Sequence, residues 1–206
     1  HIGMTKAGGH LLYEHLFPAL KDANFLDMKV SKSILSDVFF ANSGDYDMLV
    51  RTEQIQDRLN ALFDENKLNI IFGPEFVCSA SDIAATAERA ARLFGGAKVT
   101  FFIRNQYTWI RSYYLEMMRP EFYKKLKYQD INDWAEEKIE NGDQNPFPAL
   151  NYFQVVQKYK ALFGVEKVGV FLFEDMCREP EKFQHELCRF LEVVPPEGNI
   201  IASQRP

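Results

Sequence analysis

Cysteine is scarce in this chain: Cys78, Cys177 and Cys188 are its 3 thiols among 206 residues, with no CxxC pair and no neighbouring histidine pair. An odd, scattered set excludes a disulfide framework and offers no zinc site, and it fits a reducing compartment. Long apolar runs are missing as well. No stretch approaches the roughly 18 consecutive apolar residues that a membrane span needs, and the N-terminal residues lack the pattern of a signal peptide. The sequence therefore predicts a cytoplasmic protein without a membrane span, although it begins almost inside its first motif and would not display a leader or anchor ahead of that point. Positive charge is the third shortage: 24 Lys and Arg against 29 Asp and Glu leave a net charge of −5. General affinity for nucleic acid is excluded, because phosphate neutralisation needs clustered cations. Any anion site must be local.

Against these absences stands 47% hydrophobic content, enough for one well-buried core in a single domain spanning 1–206. No repeat, low-complexity tract or linker divides the chain. Short runs rich in β-formers, "LNIIF" (68–72), "KVTFFI" (98–103) and "KVGVFLF" (167–173), together with the stub "HIGM", alternate with segments of helical period. Helices are expected over 9–20, 52–66, 82–94, 107–118, 131–140, 150–163 and 180–191. This alternation predicts an α/β fold of three layers, α/β/α, with a mostly parallel central sheet and ligands at the carboxyl ends of its strands. Residues 24–48 and 119–149 break the alternation and read as excursions over the top of the sheet, the second of them shaping an acceptor pocket.

The segment "GMTKAGGHLL" places a glycine turn between a strand and a helix. As a Walker A loop it fails: Gly9 and His10 stand where the lysine and the Mg²⁺-binding hydroxyl are required, so a kinase or nucleotide hydrolase is the weaker alternative. Lys6 instead lies inside the turn. From there its ammonium can meet an anion held by backbone N–H groups of Ala7, Gly8, Gly9, His10 and Leu11, with the helix dipole adding attraction. Such a loop needs no metal, and it suits sulfuryl transfer, in which charge builds on a phosphate oxygen of the leaving group. A second cluster lies in "KVTFFIRNQYTWIRSYYLEMM". A strand ends at Arg104, and Ser112 follows eight residues later on a helix whose rise of about 1.5 Å per residue can bring it back alongside the strand end. A guanidinium fork and a hydroxyl can thus converge on one phosphate.

These segments resemble the sulfotransferases that use 3′-phosphoadenosine 5′-phosphosulfate. "TKAGGH" is similar to the family's 5′-phosphosulfate loop, P-K-[TS]-G-[TS]-[TS], matched at Lys6 and Gly8; Thr5 replaces the proline, and Ala7, Gly9 and His10 replace hydroxyl residues. The run from Arg104 through Ser112 to Tyr113 and Tyr114 resembles the family's 3′-phosphate motif, with Gln106 in place of a usual proline. "FEDMCREPEKFQHELCRFL" resembles its late segment, with Phe173 where a tyrosine is usual. The resemblance implies 3′-phosphoadenosine 5′-phosphosulfate as donor and no metal. It implies Lys6 and the loop amides on the 5′ side, and Arg104 and Ser112 on the 3′-phosphate. It also implies a C-terminal lid, for which only Ser203 and Arg205 of "NIIASQRP" are available.

The acceptor's proton requires a base. Glu75, held after a strand by the turn Gly73–Pro74, is the first candidate, and the family often carries His or Glu there. His10 is the second, because it sits in the anion loop and titrates near neutral pH. The acceptor is expected to be a hydroxyl or amine of a carbohydrate, a glycolipid or a small hydroxylated metabolite. A non-catalytic module that binds a phosphonucleotide is the remaining alternative, suggested by the missing loop hydroxyls.

Overall fold

The computed structural model describes residues 2–3, 5–26, 28–39, 48–71, 83–119, 129–140 and 147–203. Strand β1 (Ile2–Gly3) pairs in parallel with β4 (Val99–Ile103), which pairs in parallel with β5 (Val168–Leu172). A second parallel pair joins β2 (Ala23–Phe25) to β3 (Leu68–Ile70). Every described strand pairing is parallel, as expected of strands joined by helical crossovers.

The layers follow from β4. Successive side chains of a strand point to opposite faces, yet Phe101 and Phe102 are 2% and 1% exposed, so both faces are covered. Phe101 meets Tyr159 of α7 (Tyr152–Phe163) edge-on, with ring centroids 5.0 Å apart. Helix α4 (Ile83–Phe94) packs on α7 and buries Ala87, Ala90 and Leu93. Phe102 stacks on Phe171 at 5.5 Å and touches Phe183 of α9 (Pro180–Leu191) on the other face. The expected three-layer α/β arrangement is thereby realised.

Helices α2 (Met28–Phe39) and α3 (Met48–Asn60) precede β3. Helices α5 (Gln106–Met117) and α6 (Ile131–Glu140) lie between β4 and α7, and α8 (Phe173–Arg178) separates β5 from α9. Short α10 (Ile200–Ser203) is fastened to α9 by the buried amide of Gln184, which donates to the Gly198 carbonyl at 2.9 Å and accepts from the Ile200 N–H at 3.1 Å.

Three sequence expectations change. Part of 24–48 belongs to the layers: Ala23, Asn24 and Phe25 pair with Leu68, Asn69 and Ile70, and α2 follows. A strand of three residues is too short to display alternation, so only its pairing defines it. Phe173, expected to end a strand, opens α8 instead. The first helix is regular only over α1 (Gly9–Leu11); it continues as a π-helix (Leu12–Leu16) and a 3₁₀ turn (Phe17–Ala19). Pro18 has no N–H to give to the carbonyl four residues back, so the ordinary ladder cannot run to its end.

Beside β3 and the amino end of β4 a cavity of about 430 Å³ is lined by Phe17, Leu35, Ile70, Ala90, Val99 and Phe163, among others. The described residues of β1 pair with Phe101 and Phe102, and Val99 and Thr100 also line this space. No described helix is long and apolar enough to cross a membrane.

Candidate active site

The loop at residues 5–8 leaves the carboxyl end of β1. Thr5 is buried, and its carbonyl accepts a 2.7 Å hydrogen bond from Trp109 Nε1 on α5. Lys6 adopts φ +62°, the left-handed region that costs a non-glycine residue of the order of 1 kcal/mol or more. Its carbonyl accepts from the Arg104 guanidinium at 3.0 Å, and that contact together with the Trp109 bond holds the strained turn. Gly8 has φ +86°. The positive φ favours glycine, and a Cβ there would also meet the end of the Met176 side chain and lie 3.1 Å from Phe173. The Gly8 carbonyl accepts from the Leu11 N–H at 3.1 Å, closing the first turn of the helix. The N–H groups that begin a helix have no intrahelical acceptor, which suits this end to an anion.

Arg104 follows β4 directly and is fixed from several sides. Its Nε donates to Thr108 Oγ1 at 3.1 Å, its guanidinium lies 4.5 Å from the centroid of the Phe173 ring, and its carbonyl accepts from Tyr152 Oη at 2.7 Å. No carboxylate among the described residues pairs with it. Asn105 caps α5, accepting from the Tyr107 and Thr108 N–H groups at 3.1 and 3.3 Å. Glu174, at the start of α8, accepts from the Asn105 N–H at 3.0 Å and so ties the ends of β4 and β5 together.

The Lys6 ammonium is engaged inside the protein. It donates to Glu116 Oε2 at 2.9 Å, with side chains 30% and 25% exposed. This hydrogen bond holds the Glu116 carboxyl below its usual range. Trp109 and Glu116, seven residues apart, lie on one stripe of α5, and both reach the loop. Ser112, half-buried, stands between them. The stripe is rigid: Trp109 stacks on Tyr113 at 4.9 Å and meets Phe147 edge-on, while Trp134 of α6 packs against Tyr113, Tyr114 and Phe147.

The structure thus brings Lys6, Ala7, Gly8, Gly9 and Arg104 to one end of the sheet, with Ser112 on the helix beside them. The hydroxyl that Arg104 meets is that of Thr108 rather than Ser112. His10 is exposed, and its ring partners are Glu14 Oε1, 3.0 Å from Nδ1, and the Tyr13 hydroxyl, 2.8 Å from either nitrogen. Both partners belong to its own helical segment. Leu11 packs against the core rather than facing outward. Glu75 lies outside the described residues, as do 120–128 and 141–146 of the expected acceptor segment. Ser203 ends α10 and donates to the Ile200 carbonyl at 2.8 Å, while Arg205 also lies outside the described residues.

Sequence reasoning missed Thr108, Glu116 and Glu174. Thr108, at position i+4 from Arg104, carried a readable signal; Glu116 meets a residue 110 positions away and carried none.

No protein-family model and no curated protein sequence matches the chain. Among solved structures it is similar to the crystal structure of a sulfotransferase from Alicyclobacillus acidocaldarius, with a TM-score of 0.70 and 22% identity over 100% of this chain and 84% of that one. The likeness is one of fold.

Proposed function

We propose that the protein is a sulfotransferase that takes its sulfuryl group from 3′-phosphoadenosine 5′-phosphosulfate and passes it to a hydroxyl or amine of a carbohydrate, glycolipid or small hydroxylated metabolite. The observation that carries this reading is Arg104. It is a rigid guanidinium at the carboxyl end of a parallel strand, beside a glycine loop, with no carboxylate to neutralise it among the described residues. A fixed fork of this kind suits a phosphate, and its protein is acidic overall, so the attraction is local.

The residues fit the donor. The N–H groups of Ala7, Gly8, Gly9 and His10 would take the 5′ side, that of Leu11 being given to the Gly8 carbonyl; Arg104 and Ser112 would take the 3′-phosphate, and the face of Phe173 is already placed beside Arg104. Bound there, the donor supplies an activated sulfuryl group whose departure leaves charge on a phosphate oxygen. Lys6 and the loop amides meet that charge, and because the loop is already held by Trp109 and Arg104, little reorganisation is needed at the moment of transfer. Glu75, or His10 oriented by Glu14 and Tyr13, would take the acceptor's proton. Positioning and electrostatics, rather than a metal, carry the rate in this scheme.

Calorimetric titration with adenosine 3′,5′-bisphosphate beside ATP, each with and without Mg²⁺, tests the reading. Metal-independent binding of the bisphosphate is expected, weakened about 10- to 100-fold by Arg104→Ala, as the loss of hydrogen bonds to a charged group implies. Preference for ATP with Mg²⁺ would instead favour a kinase or hydrolase. Lys6→Ala then separates a catalyst from a binding module, since only a catalyst loses turnover far beyond affinity.

A further inference from the structure

The lysine that this reading assigns to the leaving group already has an anion. Glu116 Oε2 lies 2.9 Å from Lys6 Nζ, and both side chains are largely withdrawn from solvent. The pair is not a simple surface bridge between neighbours in sequence. It joins the glycine loop to the far turn of α5, at a residue on the helix that also carries Ser112. A phosphosulfate entering the loop meets an ammonium that is already paired with a carboxylate.

A permanent bridge of this kind would cost activity, since a lysine locked on a carboxylate cannot neutralise a departing phosphate. The surroundings favour a bridge that opens. Arg119, one turn further along, places NH1 3.4 Å from the other carboxylate oxygen, Glu116 Oε1. When Lys6 leaves, Glu116 keeps a cationic partner and is not stranded as a half-buried charge, the outcome that makes breaking an ion pair expensive. At the other end, the backbone of Lys6 is held through its carbonyl by Arg104. The side chain can therefore swing while the loop stays in place.

Resting on the sulfotransferase reading, we infer that Glu116 is a positioning residue that stores the Lys6 ammonium while the donor site is empty and yields it when the donor's anionic groups enter. Binding then exchanges one counter-anion for another. Glu116 weakens donor affinity by the strength of the internal pair, and it keeps a reactive cation away from the loop until an anion arrives to claim it.

The test is a double-mutant cycle read by titration with adenosine 3′,5′-bisphosphate on the intact chain, using wild type, Glu116→Gln, Lys6→Ala and the double variant. Glu116→Gln keeps the shape and removes the charge. It is expected to tighten bisphosphate binding about fivefold, the scale of a partly screened ion pair, and to change nothing once Lys6 is alanine. Equal affinity of wild type and Glu116→Gln would overturn the storage role and leave the donor site standing. Tightening that persists in the Lys6→Ala background would also overturn it, because the effect would then be general repulsion between Glu116 and the ligand. Binding by none of the four would overturn the donor-site reading, and this inference with it. Melting curves accompany each protein; if Glu116→Gln fails to fold, Glu116→Asp, which withdraws the carboxylate by one methylene, carries the same cycle with the same two expectations.

Discussion

The strain in the loop is concentrated in single residues, and so is its correction. Thr5 stands where the resembling loop carries proline. The structure buries its hydroxyl with no hydrogen-bond partner for Oγ1 among the described residues, while its carbonyl makes the useful contact, with Trp109. A buried hydroxyl without a partner forfeits about 1–3 kcal/mol of hydration that an apolar isostere never had. Thr5→Val keeps the branched shape and the carbonyl. It is therefore expected to raise the melting temperature, by an amount corresponding to about 1 kcal/mol, with bisphosphate affinity unchanged. A fall in melting temperature would show that the hydroxyl has a partner after all; unchanged stability with weaker binding would place it on the ligand. A turn at Lys6, Ala7 and Gly8 between a strand and a helix was legible from sequence, because glycines stand there between a β-like stub and a run of helical period. That Lys6 takes the left-handed conformation was not, since its support comes from Arg104, 98 positions along the chain.

Among the elements, α5 does most to build the site, and its start is set by one cap. The Asn105 side chain accepts from two N–H groups of the first turn, and its own N–H is held by Glu174. Asn105→Ala is expected to cost about 1 kcal/mol, the usual worth of such a cap. Because Thr108, the residue that orients Arg104, is one of the two capped positions, the same variant should also weaken bisphosphate binding measurably. Chemical denaturation and titration on one preparation check both; lost stability with unchanged affinity would separate the cap from the site. The span of α5 was readable within one residue at either end, as were those of α4, α6 and α9, because their apolar residues recur with helical period and turn residues flank them. β2 and α8 were not readable. Three residues cannot show a period, and the apolar run that forms β5 continues into Phe173 without a break, so only the folded chain reveals that the ring turns onto Arg104.

At the scale of the whole molecule, the two ends of β4 do different things. Its carboxyl end presents Arg104 to the glycine loop, and its amino end, at Lys98, Val99 and Thr100, borders the cavity of about 430 Å³. The α/β layering explains the first, since parallel sheets gather ligands where their strands end. The second borders open space: among the described residues the cavity's apolar lining, Phe17, Leu35 and Ala90 included, lacks partner atoms across the gap and forgoes those dispersion contacts. A substitution that fills this space should therefore change stability without changing binding. Ala90, 3% exposed on the good helix former α4, lines the cavity. Ala90→Leu adds an isopropyl group there and is expected to stabilise the fold by about 0.5–2 kcal/mol, the usual range for cavity filling. Bisphosphate affinity should stay at its wild-type value, because distant sites that share no partners act independently. A lowered melting temperature would mean that the space is closed to a side chain from α4. A changed affinity would show that the two ends of β4 communicate, and that the site depends on how tightly the sheet is packed at its opposite edge.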